Sequence, residues 1–111
     1  MTQSGCSAEG MEPFALRVIG DSMAPEFQDG HIIVVDPGYP CMSGVFAVVE
    51  NGQEVLFGQF FQENGRCWLQ YINPAFDPVE LKPGFHIKGV VTQRNTRRRK
   101  DMKRYEYPLS E

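Results

Sequence analysis

From Phe14 to Gln93 apolar residues recur at alternate positions or in short β-branched runs, and glycine, proline and asparagine interrupt them at close intervals. "FALRVIG", Phe14 to Gly20, alternates as a strand with one wet face does. "HIIVVD", His31 to Asp36, is a β-branched run that stops at "PGYP", whose prolines lack the N–H a central strand position needs. "VFAVVE" and "EVLFGQFF" flank Asn51-Gly52-Gln53, and "GQFFQ" and "CWLQYI" flank Asn64-Gly65. Asn-Gly takes the positive φ of a tight hairpin at little cost, so two successive hairpins predict a meander. "VEL", the turn "KPG" and "FHIKGVVTQ", Phe85 to Gln93, complete the series. No ten residues keep a helical period between caps, although "APEFQ" suits a single helical turn. About seven short strands with Gly and Pro turns predict an all-β domain, a small barrel or sandwich. The expected organisation is a flexible N-terminal segment over 1–13, the β domain over 14–93 and a basic tail over 94–111.

At 111 residues the chain suffices for one core and not for two. Its start, "MTQSGCSAEGMEPF", lacks the basic residues and apolar centre of a signal peptide, and no apolar run reaches bilayer length. A cytoplasmic protein without membrane contact is expected. Cys6, Cys41 and Cys67 are odd in number and widely spaced, which suits reduced thiols better than a disulfide framework or zinc knuckle. His31 and His86 belong to no metal-ligand spacing, and no glycine-rich phosphate loop occurs, so no metal and no cofactor are expected.

The net charge of −3 hides an asymmetry. "RNTRRRKDMKR", Arg94 to Arg104, holds seven basic residues against one acid, whereas residues 1–93 hold four basic residues against eleven acids. Arg97, Arg98, Arg99, Lys100, Lys103 and Arg104 are therefore the candidate contacts to nucleic acid or another polyanion. Two other readings fit the same residues: a solvated tail, or one folded back through Tyr105 and Tyr107 with its cations on the body's carboxylates.

Ser22 stands in "GDSM", ahead of the Asp29-Gly30 turn and the apolar run that follows. A Ser-His-Asp set assembled from Ser22, either histidine and some aspartate is a coincidence any short chain supplies. The order of segments is more informative. "GDSMAPEFQDGHIIVVDP", "SGVFAVVENGQEVLFGQFF", "WLQYINPAFDPVEL" and "FHIKGVVTQ" together resemble the LexA-like Ser-Lys peptidases from Phe14 to Gln93. That family comprises the carboxy-terminal domains of SOS and phage repressors, UmuD-like proteins and, more distantly, the membrane-bound signal peptidases. The resemblance implies a twisted β-clip fold, Ser22 at the nucleophile position after the first strand, and the amides of Ser22 and Met23 as oxyanion donors.

It also implies a desolvated lysine as base. Glu54, Val55, Leu56 and Phe57 match the strand that carries it, and the lysine position falls on Gly58. The lysines present, Lys82, Lys88, Lys100 and Lys103, stand at other spacings. Self-cleaving members cut an Ala-Gly or Cys-Gly bond in an upstream linker, and "SGCSAEG" contains neither pair. With no helical DNA-binding region ahead of Ser22, the chain reads as the family's effector domain alone.

The leading expectation is a catalytically silent dimerisation or regulatory module in a bacterial or phage transcription or SOS-type setting. It pairs with a second copy through Phe85–Gln93 at a sheet edge, and with a separate DNA-binding or regulatory protein. One alternative is an active self-cleaving serine peptidase with a displaced base such as Lys88. Another is a small nucleic-acid-binding protein acting through its tail, for which Phe57, Phe60, Phe61, Trp68 and Tyr71 would have to be exposed for stacking rather than buried.

Overall fold

In the computed structural model, residues 12–96 and 102–107 are described. Eight strands follow in chain order: β1 (Phe14–Arg17), β2 (Ile32–Asp36), β3 (Phe46–Asn51), β4 (Glu54–Glu63), β5 (Arg66–Gln70), β6 (Val79–Glu80), β7 (His86–Asn95) and β8 (Lys103–Arg104). The β3–β4 and β4–β5 connections are the two Asn-Gly hairpins, and Gly52, Asn64 and Gly65 take the positive φ values such turns require, +67°, +53° and +79°. Among the described residues there is no helix, and so none long and apolar enough to cross a membrane.

All pairings are antiparallel, in the order β1-β2-β7-β3-β4-β5-β6, with β8 beside the end of β7. The sheet curls into a half-barrel whose open ends are β1 and β6. Adjacent residues of a strand face opposite sides, and here both sides are filled. Val48 and Val91 belong to a cluster with Met23, Phe27, Ile33 and Val35, while their neighbours Val49 and Val90 join Ala47, Phe60, Leu69 and Leu81. Covering on both faces explains why these strands read as unbroken apolar runs.

Phe85–Gln93 does not form the expected edge. β7 is interior, paired with β2 along one side and with β3 and then β8 along the other. Val90 and Val91, adjacent and fully buried, are covered on both faces, and the two lateral edges of β7 are taken up by β2 and β3, partners distant in sequence. Gly89 adjoins the register shift of β7 against β3, the shift against β2 falling at Thr92, and a Cβ on Gly89 would stand 2.5 Å from Val35 Cγ1 and 3.0 Å from the backbone of Asp36.

The far end of the chain also joins the domain. Arg104 and Lys103 pair with Gln93 and Arg94, the Tyr105 N–H donates to the Thr92 carbonyl at 2.9 Å, and the Tyr107 hydroxyl donates to the Val91 carbonyl at 2.6 Å. Tyr105 packs on the first cluster and Tyr107 on the second. Cys41 and Cys67 are free thiols, and burial pushes Cys41 up to about 11. Cys6 and the candidate contacts Arg97, Arg98, Arg99 and Lys100 lie outside the described residues.

Candidate functional site

Between β1 and β2 the chain makes a short turn that presents Ser22. Its base is held by reciprocal bonds, Val18 N–H to the His31 carbonyl and Gly30 N–H to the Val18 carbonyl, each 2.8 Å. The Asp29 carboxylate accepts from the Gly20 N–H at 2.7 Å, with Gly20 and Gly30 at φ +89° and +94°, a region that only glycine enters freely. Met23 and Phe27 plug the turn into the core, and the Phe27 N–H donates to the Met23 carbonyl at 2.9 Å. Ser22 is left half-buried at the surface between them.

Asn73 grips the turn from outside. Its N–H donates to the Ser22 carbonyl and its Nδ2 to the Asp21 carbonyl, both at 3.0 Å, while its Oδ1 accepts from the Ala75 N–H at 3.0 Å. In a trans peptide the C=O and the following N–H point in opposite directions. With both carbonyls turned toward Asn73, the N–H groups of Ser22 and Met23 face away from it, and no described residue accepts from either. Two adjacent unclaimed amides are the arrangement that can meet a partial negative charge.

Ser22 lines a cleft of about 660 Å³ between the two open ends of the half-barrel, walled by Leu16–Ile19 on one side, Glu54–Phe57 and Tyr71 on the other, and Phe76, Asp77 and Val79 across the mouth. Of the large apolar side chains left exposed among the described residues, Leu16, Ile19, Val55 and Phe76 all lie here. Ile19 is 80% exposed, far more than a core-facing residue would be. A concentration of unburied apolar surface in a groove marks a candidate interaction site.

The charged lining residues are Arg17, Glu54 and Asp77, with no lysine and no histidine among the described residues. Gly58, opposite Ala47 on β4, is buried, and a Cβ built on it would stand 3.2 Å from Leu69 Cβ, 3.3 Å from the Gln70 carbonyl oxygen and 3.5 Å from the Tyr71 ring. The Tyr71 ring is thus in ordinary van der Waals contact with that Cβ position, while Leu69 and the Gln70 carbonyl crowd it slightly more. Burial, and then Glu54, raise the pKa of the Tyr71 hydroxyl. The Ser22 hydroxyl has no hydrogen-bond partner among the described residues.

Other candidate groups stand elsewhere. His31 Nδ1 accepts from the Gln28 N–H at 3.0 Å, and the ring lines a separate polar hollow with Arg94 and Lys103; burial, and then Arg94, lower its pKa. Lys82 and Lys88 do not line the cleft. None of the five aromatics considered for base stacking is exposed: Phe60 is buried, Phe57 packs edge-on against Phe27, Phe61 and Trp68 stack on each other across β4 and β5, and Tyr71 lies in the cleft. Asn73 was not singled out from the sequence; its only signal is the asparagine in "INP" after a predicted strand.

The sequence that folds into this turn and cleft matches a family of known proteins. The Peptidase S24-like family covers residues 2–92. This chain belongs to that family. The S24-like domain is similar to the HTH-type transcriptional regulator for conjugative element SXT of Vibrio cholerae, 36% identical over 87 residues that make up 72% of this chain and 40% of that protein. It is similar to Repressor protein C2 of Salmonella phage P22, 35% identical over 96 residues, 81% of this chain and 43% of the repressor. The LexA repressor of Geotalea uraniireducens is 33% identical over 75 residues, 67% of this chain and 37% of the relative. The S24-like domain thus spans less than half the length of these relatives, all of which are named as repressors or transcriptional regulators.

Proposed function

We propose that this S24-like domain is the regulatory module of a repressor-type protein, and that it retains the family's peptide cleft while having lost its hydrolytic chemistry. The observation that carries this is Gly58, which supplies no proton acceptor and is buried against Leu69, the Gln70 carbonyl and the Tyr71 ring. A serine hydroxyl at neutral pH needs a base within hydrogen-bond reach, and Ser22 has none among the described residues. The apolar cleft and the free amide pair remain suited to holding an extended segment, so the domain works by binding and assembly. Pairing with a second copy would use β1 or β6, the open ends of the sheet, and DNA would be read by another part of the regulator.

Prolonged incubation of the purified chain at alkaline pH, followed by mass spectrometry, tests this. Only intact mass is expected. A discrete fragment that appears in the wild type and disappears in Ser22→Ala would show that a displaced base works and that the domain is a self-cleaving peptidase.

A further inference from the structure

Glu26 lies on the Ser22 turn, four residues after the serine, and donors from the far end of the chain converge on it. Lys103 Nζ donates to its Oε2 at 2.6 Å and the Tyr105 hydroxyl to the same oxygen at 2.7 Å. Arg94 Nη1 donates to the Glu26 carbonyl at 2.6 Å and approaches Oε2 at 3.4 Å. These partners hold the Glu26 carboxyl below its ordinary range, through the hydrogen bonds of Lys103 and Tyr105 first.

The next residue continues the connection. Phe27 is fully buried, with its ring centroid 5.3 Å from Tyr105, 5.0 Å from Phe46 and 4.9 Å from Phe57. Phe57 lines the cleft, so a line of rings runs from Tyr105 through Phe27 to the cleft wall. The Ser22 turn is therefore held at both ends, by Asn73 at Asp21 and Ser22 and by the C-terminal segment at Glu26 and Phe27. The segment itself is lightly attached: β8 is two exposed residues long, and Tyr105 and Tyr107 are only partly buried. Short, exposed pairings of this kind open at lower free energy than the sheet beneath them.

We propose that Lys103–Tyr107 is a latch on the Ser22 turn. Docked on Glu26 and Phe27 it holds the turn and the cleft wall in register; released, it loosens them while the sheet stays formed. The latch acts on the mechanics of the turn, whether or not Ser22 reacts.

Amide hydrogen exchange by NMR on the full chain tests it, comparing wild type, Tyr105→Phe, Glu26→Gln and the double variant. Tyr105→Phe keeps the ring and removes one charge-assisted bond, so exchange at the Phe27 and Tyr105 amides should quicken about tenfold. Buried strand amides at Val48 and Val90 should not change. Because Tyr105→Phe removes the donor and Glu26→Gln the charge of the acceptor in one shared contact, the double variant should match the stronger single variant rather than their product. Unchanged exchange at Phe27 in all variants would overturn the latch. So would an equal acceleration at Val48 and Val90, which would make the segment an ordinary part of the global fold.

Discussion

Asn73 ties the Ser22 turn to the loop after β5, because one amide group donates to the Asp21 carbonyl and caps its own loop at Ala75. Asn73→Ala should lower unfolding stability by about 1–2 kcal/mol, measured by urea titration. Asn73→Asp keeps the acceptor for Ala75 and loses the donor to Asp21, so it should fall between. Glu26 makes a second residue-scale prediction, with Arg94, Lys103 and Tyr105 facing it and His31 beside Arg94. Its folded pKa is depressed, so its contribution is fully present above the ordinary carboxylate value and is lost as pH falls through the depressed one. The stability difference between wild type and Glu26→Gln should therefore be constant near neutrality and shrink on acidification. A difference that grows toward low pH would contradict the assignment.

At the scale of elements, β7 organises the molecule, since β2, β3 and β8 all pair with it. Its glycine is what allows β2 so close: a methyl at Gly89 would collide with Val35 Cγ1 at 2.5 Å and with the Asp36–Pro37 backbone at 3.0 Å. Gly89→Ala should cost about 1–3 kcal/mol by overpacking, with backbone on one side unable to yield. Gly58→Ala meets its nearest neighbours at 3.2 to 3.5 Å, one of them the pivotable Tyr71 ring, and should cost clearly less. Thermal unfolding of both variants gives the comparison, and a Gly58→Ala loss equal to or larger than that of Gly89→Ala would refute the packing argument. The hairpins and the β-branched runs were readable in advance because turn chemistry and alternation are local. The edge position assigned to Phe85–Gln93 was not, because which strands flank a strand depends on partners far away in sequence.

For the whole molecule, the charge asymmetry and the fold-back of the C-terminus have to be considered together. Lys103 is committed to Glu26, whereas Arg104 is exposed and bonded to Gln93 only through the backbone ladder. Ending the chain at Gln93 would remove Tyr105 and Tyr107 from both core clusters, so it would lower stability as well as charge. Replacing Arg97, Arg98, Arg99 and Lys100 with glutamine keeps both tyrosines and isolates the electrostatic question. If those residues contact DNA, the wild type should bind duplex weakly and without sequence preference, with affinity falling steeply in salt, and the variant should lose that binding. Equal binding by both proteins, or none by either, would reject the nucleic-acid role.

The sequence by itself determined the strand content, both Asn-Gly hairpins, the serine turn and the glycine at the position where the family resemblance implies a lysine, because each rests on residues within a few positions of one another. Only the tertiary structure decided that β7 is central, that Asn73 grips the Ser22 turn, that Leu69, Gln70 and Tyr71 pack against Gly58, and that Tyr105 and Lys103 reach Glu26. The physical reason is the same in each case. Asn73 lies 52 positions from Asp21 and Tyr105 lies 79 from Glu26, and contacts over such separations are set by how the curled sheet closes rather than by any local preference of the chain.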